Sequence, residues 1–281
     1  MILIADSGST KTDWVLCDGI AILKSFKTQG LNPYYVSQEE VTMVLENGIG
    51  NEAYLKDISE VYFYGAGCSA PQKKEIIFNG IQAILKKARI EVSTDLMGAA
   101  LALFGNGSGI AAILGTGSNI CLFEGGMITQ NPVSLGYIFG DEGSGSYMGK
   151  KLTEAFLRDK LPKEIEIAFN EYFHFSKADI LNHIYKEKYP NRFLASLCYF
   201  ISDYQEHSYI NQLINSSFDD FIEHQASLIP DYNTRMWGVI GSIGFEFKNQ
   251  LLASLNKYHI SIDKILLSPI EGLVDYHRGK K

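Results

Sequence analysis

The chain has 281 residues, 46% apolar and 20% charged, enough to bury a large core and to form two domains. With 25 basic against 32 acidic side chains, its formal charge of −7 gives no electrostatic reason to bind nucleic acid or an anionic membrane, so any phosphate must be held locally. No apolar run approaches the roughly 20 residues needed to span a bilayer, and Met1-Ile2-Leu3-Ile4 lacks the basic start of a signal peptide, so a cytoplasmic protein is expected.

Residues 1–5 form a short apolar run, followed by a polar loop, a second run at Trp14–Cys17 and a turn at Asp18-Gly19. A third extended segment near Ile20–Lys27 completes a three-strand meander. A helix is expected around Gln38–Glu46, where Val41, Val44 and Leu45 share a face. Strand Val61–Tyr64, helix Gln72–Lys87, strand Ile90–Ser93 and helix Leu96–Phe104 close the first half. The pattern then restarts: Ile110–Leu114, a small-residue loop, Ile120–Phe123 and a turn at Gly125-Gly126, offset by about 110 residues from the first meander. Gly143 to about Pro230 reads as helical, followed by strand Met236–Ile240, helix Ile243–Tyr258, strand Lys264–Leu267 and a final short helix. Strands alternating with helices in two similar halves argue for two α/β lobes.

Two loops carry phosphate-binding chemistry. Asp6-Ser7-Gly8-Ser9-Thr10-Lys11-Thr12-Asp13 combines a glycine open to close approach, hydroxyl and N–H donors, a lysine to neutralise charge and a strand-end carboxylate able to hold hydrated magnesium. Gly115-Thr116-Gly117-Ser118-Asn119 repeats that logic in the second half. The first loop also suits an unoccupied polar hairpin. Neither is a Walker loop nor a dinucleotide fingerprint. Gly140-Asp141-Glu142-Gly143-Ser144-Gly145-Ser146 reads either as a capped helix start with acidic residues on the helix dipole or as a source of carboxylates for magnesium or substrate hydroxyls. Gly238–Gly244, a strand entering a glycine-rich helix start, suits adenosine or simply tight packing. Asp95 is an N-cap candidate, or a carboxylate that accepts the proton of an attacking hydroxyl. The four cysteines form no C-x-x-C pair and the six histidines no H-E-x-x-H set, so core packing and isolated positions are expected of them.

These motifs, in this order and over nearly the whole chain, resemble the BadF/BadG/BcrA/BcrD-type ATPase family, and within it the N-acetylglucosamine kinase branch. The resemblance implies an α/β fold of two actin-like ribonuclease-H-type lobes, each a mixed sheet with a three-strand meander and flanking helices. The first lobe would span 1–108, with the C-terminal helix 270–281 a candidate addition. The second would span 109–269, with a helical insertion at about 151–230.

The implied activity is ATP-dependent, magnesium-assisted phosphorylation of the 6-hydroxyl of an amino sugar, N-acetylglucosamine first, with N-acetylmuramic acid or glucosamine as alternative acceptors. An ATPase regulator that phosphorylates no metabolite is the alternative from another class. The resemblance makes Asp95 the catalytic base and Asp6 the magnesium-linked carboxylate, acting through water, with Asp141 a second candidate. Gly8, Ser9, Thr10, Lys11, Gly115, Thr116, Gly117 and Ser118 would contact the ATP phosphates, and Gly241 and Ser242 would lie at adenosine. Asn32, Asp95, Thr116, Asn119, Gly136 and Asp141 would surround the sugar. A homodimer is implied, with no nucleic-acid or membrane partner. Val133-Ser134-Leu135 stands where many relatives carry Gly-Gly-Trp, and Leu96-Met97 replaces the small residues usual after the aspartate. The cysteines supply no set of ligands for the iron–sulfur cluster of the dehydratase-activating branch.

Overall fold

The computed structural model describes residues 1–18, 21–49 and 53–279; Gly19 and Ile20, in the expected turn and third-strand start, lie outside the described residues. In chain order the first elements are β1 (Ile2–Ser7), β2 (Lys11–Cys17), β3 (Ile22–Gln29), α1 (Gln38–Ile49), β4 (Glu60–Gly65), α2 (Pro71–Ile84), β5 (Arg89–Thr94) and α3 (Asp95–Phe104). Next come β6 (Ser108–Leu114), β7 (Ser118–Glu124), β8 (Met127–Gln130), α4 (Gly136–Phe139) and α5 (Gly145–Leu157). The expected helical stretch continues as α6 (Lys163–Phe173), α7 (Lys177–Tyr185), α8 (Pro190–Ser196), α9 (Cys198–Asp203) and α10 (Ser208–His224). The chain ends with β9 (Trp237–Ile240), α11 (Ser242–Glu246), α12 (Lys248–Lys257), β10 (Ile262–Leu266) and α13 (Ile270–Arg278).

The two five-stranded sheets repeat one connectivity. The first runs β3-β2-β1-β4-β5 and the second β10-β9-β6-β7-β8, so β8, β7, β6, β9 and β10 stand where β3, β2, β1, β4 and β5 do. β1 pairs antiparallel with β2 and parallel with β4, and β9 lies parallel to both β6 and β10. This is the α/β architecture of two actin-like ribonuclease-H-type lobes. By contacts the chain divides into two compact units: Met1–Ser108 with Glu124–Ile128 and Ser268–Lys281, and Gly109–Phe123 with Thr129–Leu267.

Each unit has its own apolar core. In the first, β1 and β2 bury Leu3, Ala5, Trp14 and Leu16 against Val41, Leu45, Ile77 and Ile81 from α1 and α2. α13 crosses α3 closely, because Gly272 leaves no room for a side chain: an added Cβ would lie 2.5 Å from the Ala102 carbonyl oxygen. The buried His277 stacks on Tyr62 with centroids 3.8 Å apart, and its Nε2 shares a 2.8 Å hydrogen bond with the Tyr64 hydroxyl. The second core joins Ile110, Ala112 and Leu114 of β6 to Met148, Phe169, Phe200, Phe218 and Phe221. All four cysteines are buried and unbridged. Among the described residues no helix is long and apolar enough to cross a membrane.

Several element ends shift by a few residues from the sequence reading, and two of the differences have a clear local cause. The helix expected over Ile243–Tyr258 breaks at Phe247, a fully buried ring at φ −98°, ψ 38°, because core packing overrides helical periodicity there. The cap of α3 is Thr94, not Asp95: the Thr94 hydroxyl accepts the Met97 N–H at 3.1 Å, and Asp95 is the first helical residue.

Candidate active site

In the first unit the carboxyl ends of three parallel strands come together, the edge at which open α/β sheets bind ligands. Asp6 lies near the end of β1, and Asp95 directly follows β5. Between them runs β4, whose Tyr64 pairs with Asp6 and Ser93 and whose Gly65 pairs with Ser7 and Thr94.

The β1–β2 turn is held by a directed hydrogen-bond chain. Leu31 N–H donates to Ser7 Oγ at 3.0 Å, Ser7 and Thr12 share a 2.8 Å contact, and Thr12 Oγ1 donates to the Gln29 carbonyl at 3.0 Å. Ser7 and Thr12 therefore belong to the scaffold. Gly8 N–H closes the turn on the Lys11 carbonyl at 3.0 Å, and Gly30 N–H ties the next segment to the Thr10 carbonyl. A Cβ on Gly8 would meet only the Lys11 oxygen at 3.8 Å, so the protein's own packing does not require glycine there, whereas close approach of a ligand would. Lys11 Nζ sits 2.8 Å from Asp13, whose other oxygen is 3.6 Å from Lys27.

The electrostatics set Asp6 and Asp95 apart from ordinary carboxylates. Burial, then the charge of Asp95, then that of Asp13 raise Asp6 to about 7, with Lys11 opposing. Burial raises Asp95 to about 6, opposed by backbone N–H groups including that of Leu96, which donates to Asp95 Oδ1 at 2.9 Å. Both carboxyls therefore titrate near neutrality, where a general base is most effective. The nearby Cys68 thiol is pushed up to about 12 by burial and by Asp95, so it stays neutral.

Asn32 is buried in the same unit. Its Oδ1 accepts the Tyr34 N–H at 3.0 Å and its carbonyl the Tyr35 N–H at 2.9 Å. The β4–α2 loop makes room for it with Gly67, at φ +82°, where an added Cβ would lie 2.4 Å from Asn32 Oδ1.

In the second unit the 115–118 turn is braced by the segment before α5. Gly145 and Ser146 N–H groups donate to the Gly115 and Thr116 carbonyls at 2.9 and 3.0 Å. Asp141 packs against Gly117, where an added Cβ would lie 2.8 Å from Asp141 Oδ2. Asp141 itself adopts φ +59°, and burial raises its carboxyl to about 6 against the opposing Ser118 N–H. α5 starts only at Gly145 with Ser144 as cap, so Asp141 and Glu142 precede its first turn instead of complementing its dipole. A Cβ on Gly115 would meet nothing within 4 Å, again leaving space beside the backbone.

Gly241 crosses this turn closely. Its φ is +126° and an added Cβ would lie 2.3 Å from the Leu114 oxygen and 3.2 Å from the Gly115 nitrogen, so Gly115, Gly241 and Ser242 meet at the ends of β6 and β9. Packing alone accounts for glycine at 241, and also at 244, where a Cβ would lie 2.7 Å from Val239. Asn119 Oδ1 accepts from Ile120 N–H and from Asn131 Nδ2, both at 3.0 Å. Gly136 opens α4 at φ +68° with open space around it.

Of the expected site residues, Asp6, Gly8, Ser9, Thr10, Lys11, Asn32 and Asp95 belong to the first unit, and Gly115, Thr116, Gly117, Ser118, Asn119, Gly136, Asp141, Gly241 and Ser242 to the second. Sequence reasoning missed Asn131 and Gln225, which reach the second turn from outside every motif. For magnesium, no three His, Cys, Asp or Glu side chains converge into a cage among the described residues. The residues fit a magnesium ion held mainly by water and phosphate, with Asp6 as its carboxylate: that group is partly buried and only Lys11 among its neighbours offsets its charge.

No protein-family model and no curated protein sequence matches the chain. Solved structures do. A candidate N-acetylglucosamine kinase from Porphyromonas gingivalis is 38% identical over 99% of both chains, with a TM-score of 0.94. A candidate N-acetylglucosamine kinase from Chromobacterium violaceum is 17% identical over 98% of both, TM-score 0.76. A glucokinase of the ROK family from Streptomyces griseus, solved with glucose and AMPPNP, is 14% identical over 98% of this chain and 97% of that one, TM-score 0.60. The duplicated sheets and the full-length match place the chain among the actin-like sugar kinases. The chain belongs, within that class, to the N-acetylglucosamine kinase-like family.

Proposed function

We propose that this sugar kinase transfers the γ-phosphate of ATP to the 6-hydroxyl of an amino sugar, with N-acetylglucosamine as the preferred acceptor. The observation that carries the reading is the pair Asp6 and Asp95, two carboxyls raised to about 7 and 6 at one sheet edge, in a chain 38% identical to a candidate N-acetylglucosamine kinase. Phosphoryl transfer asks a protein mainly to position its reactants and to stabilise charge. Asn32 would orient the sugar, and Asp95 would accept the hydroxyl proton as the oxygen attacks phosphorus and ADP departs. A base whose carboxyl titrates at about 6 is mostly ionised at pH 7 yet still basic enough to take that proton.

Magnesium, when bound, neutralises charge on the phosphate oxygens, and Asp6 would hold its water shell. Gly8, Ser9, Thr10 and Lys11, with Gly115, Thr116, Gly117 and Ser118, would donate to the phosphates, and Gly241 and Ser242 would border adenosine. Thr116, Asn119, Gly136 and Asp141 would complete the sugar's surroundings, with Asp141 an alternative contact to the metal's water. A homodimer in the cytoplasm is part of the same proposal.

The test is ADP release from ATP and magnesium across a panel of N-acetylglucosamine, N-acetylmuramic acid, glucosamine and glucose. The highest kcat/KM is expected with N-acetylglucosamine. Release independent of any sugar would instead make the protein an ATPase regulator.

A further inference from the structure

Gln225 caps the end of α10, 107 residues from Ser118 and 83 from Glu142 in sequence, yet its carboxamide bridges them. Its Nε2 donates to Glu142 Oε2 at 2.7 Å and to Ser118 Oγ at 2.9 Å. Both partners are buried, at 9% and 5% exposure. The neighbouring His224 Nδ1 lies 3.5 Å from the other Glu142 oxygen.

Elementary hydrogen-bond chemistry fixes the direction of every bond. The Glu142 oxygen accepts, so Gln225 turns its NH2 and not its carbonyl toward it. That NH2 has two hydrogens; the second goes to Ser118, whose oxygen must then accept. The Ser118 hydroxyl proton is left for another acceptor. The same residue's N–H already braces Asp141, so the turn 115–118 and the acidic segment 140–143 are tied at two points.

We propose that Gln225 is a positioning residue for nucleotide binding: its two N–H bonds fasten the phosphate-binding turn to Glu142 and hold Ser118 with its hydroxyl proton available to a phosphate oxygen. The inference rests on the kinase reading for the identity of the ligand. It identifies a determinant of ATP affinity that touches no substrate and lies in no motif.

Two substitutions separate this role from mere space-filling. Gln225→Glu keeps the shape and removes both donors: Glu142 then faces a second carboxylate, and Ser118 turns its proton inward. Gln225→Lys changes the shape and keeps donors only, and the half-exposed position admits the longer chain. The measurement is calorimetric titration of the whole protein with ATP and magnesium, beside a thermal melt. Gln225→Glu is expected to weaken ATP binding about 10- to 100-fold, the range for losing hydrogen bonds to charged groups, and Gln225→Lys less than about 3-fold. The Gln225→Glu penalty shrinks in a Ser118→Ala chain, because both changes act through one hydroxyl. Normal ATP binding by Gln225→Glu, or equal losses from both substitutions, overturns the proposal while leaving the kinase reading intact. A wild-type chain that binds ATP but releases no ADP with any sugar overturns the kinase reading alone, and one that binds no ATP overturns both.

Discussion

Replacing Asp95 by asparagine should make the protein more stable and nearly inactive at once. Asparagine keeps the shape and can still accept the Leu96 N–H now received by Asp95 Oδ1 at 2.9 Å. What it removes is a charge whose burial raises the carboxyl from 3.8 to about 6. At about 1.4 kcal/mol per unit, that shift is a cost of roughly 3 kcal/mol for ionising the group in the fold, and solvent reaching the partly open side chain lowers it to about 1–3 kcal/mol. The sign follows from the raised value. The proton binds the folded state more tightly, so the wild type carries the full cost above about pH 6 and sheds it as the pH falls toward 3.8. The asparagine chain should therefore exceed wild type in stability at pH 8, and the gap should close on acidification. Removing the Asp95 charge also relieves Asp6, which adds to the gain. The assay is urea unfolding followed by Trp14 fluorescence in a Trp237→Phe background, since Trp14 is buried in the unit that holds Asp95 and the chain has only two tryptophans. Sugar-dependent ADP release should drop about 10²–10⁴-fold. A variant destabilised equally at every pH, or one that keeps most of its activity, would refute the assignment of Asp95 as a base strained by its surroundings.

Gly115→Ala should leave the melting temperature unchanged, because the added methyl meets open space, while raising the ATP KM about 10-fold or more by blocking backbone approach to phosphate. Gly241→Ala should instead destabilise by more than about 1 kcal/mol, because φ +126° and the Leu114 oxygen 2.3 Å away both exclude a side chain; thermal melts of the two variants side by side check both outcomes. The kcat/KM for sugar should rise as Asp95 ionises through about pH 6 and then level off, and a flat profile from pH 5 to 8 would remove it as the base.

Much of this was legible in the sequence because the meander recurs at a fixed offset and each strand's apolar run ends at a small-residue loop. Those loops lie where strand and turn chemistry place them, and Gly125 and Gly126 take the positive φ that the expected turn requires. The misreadings have local causes. Thr94 and Asp95 are adjacent and both favour helix caps, so composition could not choose between them, and only the Met97 N–H direction does. The break at Phe247 is set by burial of a ring in the second core, which periodicity does not record. Gln225 and Asn131 act through bonds to residues distant in the chain, and Gly67 is required by Asn32, 35 positions earlier; nothing local marks any of them.

On the proposed function, the γ-phosphate leaves ATP for the 6-hydroxyl of the sugar. Phosphorus–proton correlation NMR on a mixture of the protein, ATP, magnesium and N-acetylglucosamine tests it directly. A new phosphomonoester signal coupled to the C6 protons, equal in amount to ADP and absent with 6-deoxy-N-acetylglucosamine, is the expected result; inorganic phosphate alone, or a phosphate on the anomeric oxygen, would contradict it.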